Sequence, residues 1–180
     1  TIICTDKTGT LTRNEMTVRT VVTASGAVDL TGAGYDPAGE VRRDGQPVTD
    51  PSLLEEVEKT LSAADLANNA SLQQRDGRWP VQGAPTEGAL LVAARKVGPA
   101  VEAFRERFPR VGEVPFTSAR KLMSTAHADA EDAGRVFVFS KGAPDVLLSR
   151  CAAERLGGGT RPLTRERREE LTRTVDGLGA

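Results

Sequence analysis

Apolar residues recur at helical spacing most clearly in the stretch PSLLEEVEKTLSAADL. The apolar positions are four, four and three residues apart, which places them on one face of a helix. Asp50 precedes the stretch and can cap the first turn, where Pro51 is tolerated because its missing N–H would have no partner there. The pattern therefore predicts a helix beginning at Pro51. Its buried face would carry Leu53, Val57, Leu61 and Ala64.

Proline and glycine residues at the boundaries of other segments predict four more helices. They would cover residues 85–97, 99–108, 145–150 and 164–178. In the last of these we expect Leu171, Val175 and Leu178 to face inward, with arginine and glutamate on a solvated face.

The remaining apolar segments are short, rich in β-branched residues and bounded by turn residues, which is typical of strands. Asp44-Gly45 and Asp76-Gly77 are hairpin signals. Gly157-Gly158-Gly159 is expected to be a flexible loop. About six or seven strands grouped as hairpins predict an α+β fold, with an antiparallel β-sheet flanked by helices. The predicted strands are residues 1–5, 16–23, 72–74, 79–82, 110–116, 121–128 and 135–141.

Composition argues against nucleic-acid binding, membrane-surface binding and membrane spanning. The chain has 180 residues and a formal net charge of −1, so it offers no basic field for nucleic acid or an anionic membrane surface. It contains no apolar run approaching the ~20 residues that a membrane helix needs. Two lone cysteines, Cys4 and Cys151, are expected to be buried free thiols in a reducing compartment. Trp79 and His127 are assigned to packing.

The most distinctive chemistry lies in DKTGTLT, directly after the predicted strand of residues 1–5. A carboxylate at the carboxyl end of a buried strand is where open α/β sheets place reactive groups. Asp6 could attack a phosphoryl group and form an acyl phosphate, as aspartate nucleophiles do. Thr8 stands where related hydrolases carry a second acid, and it cannot take up a proton at neutral pH, so the intermediate would persist. Read alone, D-K-T would equally suit a capped turn.

Taken whole, DKTGTLT resembles the phosphorylation signature of P-type cation-transporting ATPases. Other segments agree with the calcium-pump branch of that family and follow in the required order: GAGYDPAGEV, APTEGALL, PFTSARKLMS and FSKGAPDVLLSRC. The His-Pro pair of heavy-metal pumps is absent from the sequence, whose single histidine precedes Ala128. One departure is Ser118, where some members carry an arginine, so we expect fewer phosphate contacts than in those relatives.

The resemblance implies an ATP pocket. In it Phe116 would stack on adenine, Glu87 would accept a hydrogen bond from the adenine amino group, and Lys121 would face the phosphates. Read from the sequence alone, Phe116 is more typical of core packing and Lys141 of a solvated strand end. The implied nucleotide-binding residues are Glu87, Phe116, Lys121, Lys141, Gly142 and Ala143.

The resemblance also implies that Asp6 is phosphorylated in an intact pump, with Lys7 and Thr8 assisting and with Mg²⁺ held by Asp6 and Thr8. The partners would be ATP and the remaining phosphorylation, actuator and transmembrane domains, but no nucleic acid. We expect a stub of the α/β phosphorylation domain at 1–12, a hinge at 13–20 and a C-terminally truncated nucleotide-binding domain at 21–180. Such a piece, from the cytoplasmic side of a membrane protein, should be soluble by itself.

Two other functions stay open at this stage. One is a freestanding phosphatase or phosphotransferase with Asp6 as nucleophile, against which Thr8 speaks. The other is an interaction module that uses the antiparallel sheet without catalysis. Because residues 1–180 contain no G-D-G-x-N-D segment for Mg²⁺, we expect nucleotide binding without phosphorylation by this chain.

Overall fold

The computed structural model describes residues 15–179. Within that range there are five helices and eleven short strands, all paired antiparallel, so the predicted α+β class is confirmed. The strands number more than the six or seven expected, because several are only two to four residues long. The predicted strand at 1–5 and the motif residues Asp6, Lys7 and Thr8 lie outside the described residues.

The first sheet has the order β1-β2-β3-β4. Strand β1 (Thr20–Thr23) is shorter than the predicted 16–23, because its partner β2 (Gly26–Leu30) pairs only as far as Thr20. Strands β3 (Val41–Arg43) and β4 (Gln46–Pro47) meet at the predicted Asp44-Gly45 turn, where both residues have positive φ. Positive φ at both central positions is the geometry that asparagine or aspartate followed by glycine favours.

Helix α1 (Pro51–Leu66) begins where predicted, and Asp50 Oδ1 accepts the Ser52 N–H at 2.9 Å. Leu53, Val57 and Leu61 are buried, whereas Ala64 is only half-buried. These side chains pack with β1, β2 and α2 (Pro85–Lys96) in the main hydrophobic core. Between the helices, β5 (Ser71–Leu72) and β6 (Val81–Gln82) form the hairpin predicted at Asp76-Gly77, and Trp79 packs on a second, smaller core.

Helix α3 (Ala100–Arg107) leads into a three-stranded sheet of order β7-β8-β9. The strands are β7 (Arg110–Thr117), β8 (Leu122–Ala128) and β9 (Val136–Gly142), close to the predicted ranges. One face of this sheet is covered: His127 is 2% exposed, donates from Nδ1 to Phe108 O at 2.7 Å, and packs edge-on against Phe139. His127 is therefore a packing residue, as predicted.

The last third differs most from the sequence expectation. Helix α4 (Pro144–Arg150) is present, but the glycine run is part of a hairpin between β10 (Ala153–Leu156) and β11 (Gly159–Pro162). Helix α5 (Arg165–Gly179) has no buried residue, and Leu178 is 58% exposed, so the predicted inward face is wrong at that position. Cys151 is exposed, contrary to the expected buried thiol.

A buried glutamate connects these distant parts. Glu56 on α1 is 2% exposed and accepts hydrogen bonds from Ser25 N–H at 3.0 Å and Ser25 Oγ at 2.8 Å, and from the Gly157 N–H. Burial alone raises the pKa of a carboxyl group, but the donors on Gly157, Thr23 and Ser25 outweigh it and lower the pKa of Glu56 to about 2. Glu56 thus joins two hairpin turns to α1 as a carboxylate.

Two bidentate ion pairs hold α3 in place. Arg105 donates to the buried Asp65 of α1 at 2.8 and 3.0 Å, and Arg107 donates to the buried Asp129 at 2.9 and 3.0 Å. The hydrogen bonds from Arg107 keep the pKa of Asp129 below its usual value despite burial. Desolvation dominates at Asp65 and raises its pKa in spite of Arg105. Arg105 therefore ties α3 to α1, and Arg107 ties α3 to the residue that directly follows β8.

Candidate functional site

Most of the predicted nucleotide-binding residues lie at one end of the three-stranded sheet. Thr117, Leu122 and Gly142 form one row across β7, β8 and β9. Phe116 and Lys141 each precede a member of that row on strands that run in the same direction. These two positions are therefore about 10 Å apart across the middle strand at this end of the sheet, and the β7–β8 register is irregular between Val114 and Thr117.

Phe116 is unusual among the phenylalanines of this chain. Phe116 is 58% exposed, and its ring takes part in none of the ring pairs found among residues 15–179. The other four rings contact one another with centroids 4.7–6.5 Å apart. Core packing therefore does not explain Phe116, whose face is open to a ligand. The four packed rings are Phe104, Phe108, Phe137 and Phe139.

Glu87 and Lys141 are 54 residues apart in sequence and meet in space. Lys141 Nζ donates to Glu87 Oε1 at 2.8 Å, and the two side chains are only 24% and 15% exposed. Glu87 stands in the first turn of α2, where a negative charge is favourable. The neighbouring Gly88 lets this turn approach β6, because a Cβ there would lie 2.5 Å from Val81 Cγ1. The structure thus brings the predicted base-recognising acid to the predicted lysine.

Lys121, Gly142 and Ala143 also come together. Lys121 closes the β7–β8 turn with φ +54°, and its carbonyl accepts the Ala143 N–H at 2.9 Å. A Cβ on Gly142 would lie 2.3 Å from Lys121 O, so glycine is required there by the adjoining strand. The small residues at 142 and 143 thus serve the close approach of two chain segments, a reason that the sequence did not reveal.

Four polar residues that sequence reasoning missed connect these elements. Asn68 Nδ2 donates to the Glu87 carbonyl at 3.0 Å, and Asn69 N–H donates to Glu87 Oε1 at 3.4 Å. Asn69 also contacts Arg110 and Glu113 on β7. The only sequence signal is a pair of asparagines following a predicted helix, which is ordinary loop composition.

Open volume alone does not locate this site. A cleft of about 1090 Å³ lies between the loop at 33–36 and the hairpin at 75–81. None of the six predicted nucleotide-binding residues lines it. Its charged residues are of both signs, three acids and two arginines, so it has no clear preference for an anionic ligand. We therefore place the candidate site by its chemical groups, at the end of the sheet that carries Phe116 and Lys141.

The described residues contain neither a cluster of metal ligands nor a membrane-spanning helix. Within residues 15–179, no cluster of three or more His, Cys, Asp or Glu side chains is placed to hold a metal ion. The predicted Mg²⁺ ligands Asp6 and Thr8 fall before that range. Each helix in the described part of the chain is too short or too polar to cross a bilayer.

Comparison with known proteins gives a consistent result. The chain is 38% identical over 169 residues to a calcium-transporting ATPase of Bacillus subtilis, covering 94% of this chain and 19% of that protein. It is 38% identical over 166 residues to a probable cation-transporting ATPase F of Mycobacterium bovis, covering 92% and 18%. It is 36% identical over 174 residues to calcium-transporting ATPase type 2C member 1 of Bos taurus, covering 93% and 17%.

The chain therefore spans about a fifth of the length of these relatives. A family model described as P-type ATPase, cytoplasmic domain N, matches residues 56–180, which include every predicted nucleotide-binding residue. Both comparisons agree with the motifs and with the α+β fold. The chain belongs to the P-type ATPase family, and its match is to the cytoplasmic domain N.

Proposed function

We propose that the end of the three-stranded sheet beside Phe116 binds ATP. The ring of Phe116 would stack on adenine, Met123 would form the floor between Phe116 and Lys141, and Glu87 would accept a hydrogen bond from the adenine amino group. Met123 is paired with Lys141 and is 3% exposed, so it is fixed in position. The observation that carries the proposal is the exposed, unpacked ring of Phe116 at the same end of the sheet as the Lys141–Glu87 pair.

The phosphates would extend toward the turn that closes β7 and β8. Lys121 is exposed there and offers a compact ammonium group to a polyanion. The Ala143 N–H is already donated to the Lys121 carbonyl, so Ala143 and Gly142 would shape the site without donating from that amide. Ser118, in the same turn, supplies a hydroxyl at most, where some relatives carry an arginine.

Titration of the chain with ATP tests this assignment. We expect heat on mixing at millimolar ATP or below, a range that corresponds to at least about 4 kcal/mol of binding free energy. Backbone amide signals of Phe116, Lys121 and Lys141 should shift, while those of Arg75 and Arg78 in the 1090 Å³ cleft should not. Absence of heat, or shifts confined to the cleft, would refute the assignment.

We further propose that the chain is part of a cation pump in which ATP phosphorylates Asp6. An Asp6 carboxylate oxygen would form a bond to the γ-phosphorus while the bond from that phosphorus to the bridging oxygen breaks, and ADP would leave with the electron pair. Lys7 and Thr8 would neutralise and orient the transferred group, and Mg²⁺, held by Asp6 and Thr8, would supply charge neutralisation when bound. The DKTGTLT motif and the names of the relatives support this proposal.

The proposed organisation follows from the same resemblance. Residues 1–12 would belong to the phosphorylation domain, 13–20 to the hinge and 21–180 to the nucleotide-binding domain on the cytoplasmic side of the membrane. The partners would be the remaining phosphorylation, actuator and transmembrane domains of the pump. Calcium is the proposed ion, because two of the three relatives described above are named calcium-transporting ATPases.

The chain of residues 1–180 alone should bind ATP without being phosphorylated. Incubation with γ-³²P-labelled ATP and Mg²⁺, followed by acid precipitation, is expected to leave no label on the protein. An Asp6→Asn variant gives the background for this measurement. Acid-stable label on the unsubstituted chain and none on the variant would show that residues 1–180 suffice for phosphoryl transfer.

A further inference from the structure

We propose that Asn69 and Arg110 are positioning residues that set the distance between the two sides of the nucleotide site. The inference rests on the function proposed above, because it concerns how Glu87 is held relative to Phe116. Neither side chain is among the residues that the family resemblance pointed to. Both residues are exposed, so each can be replaced without opening the core.

The first step is the connection from Asn69 to the strand that carries Phe116. Asn69 Nδ2 donates to Glu113 Oε1 at 2.9 Å, and Arg110 Nη1 donates to Asn69 Oδ1 at 2.8 Å. Arg110 also forms an ion pair with Glu113, three residues along β7. Both the amide nitrogen and the amide oxygen of Asn69 therefore form hydrogen bonds with residues of β7, and these two bonds fix the orientation of the amide.

The second step is the connection from the same loop to the helix that carries Glu87. Arg110 Nη1 donates to the Asn68 carbonyl at 3.2 Å, and Asn68, 8% exposed, donates from Nδ2 to the Glu87 carbonyl at 3.0 Å. The Asn69 N–H reaches Glu87 Oε1 at 3.4 Å. The loop of residues 68–69 thus links β7 to the first turn of α2 through side-chain and backbone contacts.

The consequence concerns recognition of the base. A carboxylate only accepts hydrogen bonds, so Glu87 can pair with the amino group of adenine but is repelled by the carbonyl oxygen that guanine carries at the same position. This discrimination depends on the Glu87 carboxylate lying at the edge of a base stacked on Phe116. Loosening the link between α2 and β7 should therefore reduce the preference for ATP over GTP, in addition to weakening ATP binding.

Two variants test the proposal, Asn69→Ala and Arg110→Ala, with Arg42→Ala as the control. Arg42 is also an arginine on a strand, with its side chain 42% exposed and paired with Glu40 at 2.8 Å, but it lies in the first sheet. Calorimetric titration of each protein with ATP and with GTP gives the two dissociation constants. We expect ATP affinity to fall about fivefold in both test variants, with GTP affinity changing less than twofold, and no change in the control.

Glu87→Gln separates positioning from general weakening. If Asn69 acts through the Glu87 carboxylate, adding Asn69→Ala to Glu87→Gln should lower ATP affinity by less than about twofold, because the two substitutions remove the same interaction. Equal losses for ATP and GTP, or full additivity with Glu87→Gln, would overturn the positioning role while leaving the proposed function intact. If the unsubstituted chain does not bind ATP, the proposed function and this inference both fall.

Discussion

Similar apolar side chains are buried in the helical core around α1 but exposed on the three-stranded sheet β7–β9. In the core, Leu53, Val57 and Val28 are at most 1% exposed, so apolar area is used for stability. On the sheet, Phe116, Val138 and Val114 are 50–65% exposed. The comparison teaches that an apolar pattern marks a strand or helix, whereas only packing tells which apolar residues remain available to a ligand.

Glu56 on α1 and Glu87 on α2 show the same contrast for charge. Glu56 is 2% exposed and is held by neutral donors from two hairpins. Glu87 is held by the Lys141 ammonium group at 2.8 Å and by the more distant Asn69 N–H at 3.4 Å. A buried carboxylate with several neutral donors is a structural anchor, whereas a partly exposed carboxylate with one close cation has acceptor capacity left for a ligand.

The largest expected effect comes from replacing Phe108, which precedes β7, in comparison with Phe116, which lies within β7. Phe108→Ala should lower the free energy of unfolding by about 3–5 kcal/mol, because Phe108 is 5% exposed and contacts three other rings. Phe116→Ala should change it by less than about 0.5 kcal/mol. Urea unfolding followed by circular dichroism measures both values.

The same two variants should rank in the opposite order when ATP affinity is measured. Phe116→Ala is expected to weaken binding by about 1–3 kcal/mol, the range found for stacking of a base on an aromatic side chain. Phe108→Ala, measured where it remains folded, should bind as tightly as the unsubstituted chain. Equal affinity of the Phe116 variant and the unsubstituted chain would contradict the assignment of this ring to adenine.

A smaller effect is expected from Glu56, and it depends on pH. The pKa of Glu56 is about 2 in the folded chain and near 4.5 in the unfolded chain, so the unfolded state binds the proton more readily. The stabilisation is therefore fully present above pH 4.5 and is lost as the pH falls toward 2. Unfolding by urea at a series of pH values should show this decline.

Glu56→Gln provides the control for the pH series. It should lower the free energy of unfolding at pH 7 by about 1–3 kcal/mol, because glutamine cannot accept all the donated hydrogen bonds. It should also flatten the decline between pH 4.5 and 2. A variant with the same slope as the unsubstituted chain would assign the decline to other carboxylates, of which Asp129 also has a lowered pKa.

The smallest expected effect concerns Lys121. Lys121→Ala should weaken ATP binding about threefold and leave adenosine binding unchanged, because an exposed ammonium contributes little and only to the phosphates. The difference should shrink at high salt, since exposed charges are screened. Lys59→Ala, which removes a lysine paired with Glu55 on α1, is the control and should affect neither ligand. Loss of adenosine binding would place Lys121 at the base instead.

Much of the architecture was predictable because its signals are local. The spacing of Leu53, Val57 and Leu61, the Asp50 cap and the two Asp-Gly turns depend on a few neighbouring residues, and all are found as predicted. The prediction failed where local signals were weak or misleading. Gly157-Gly158, expected to belong to a loop, is the two-residue turn of a hairpin, and the Gly157 N–H is bound by Glu56 from 101 residues away, a contact that no local pattern encodes.

By itself, the sequence determined the fold class, the family and the residue types suited to holding a nucleotide, since motifs are read from adjacent positions. Tertiary structure alone decided that Glu87 meets Lys141, that Phe116 escapes the cluster of the other rings, and that Asn69 and Arg110 connect the two sides of the site. The physical reason is that hydrogen bonds and packing act over a few ångströms. Which distant residues come within that range is fixed only when the chain folds.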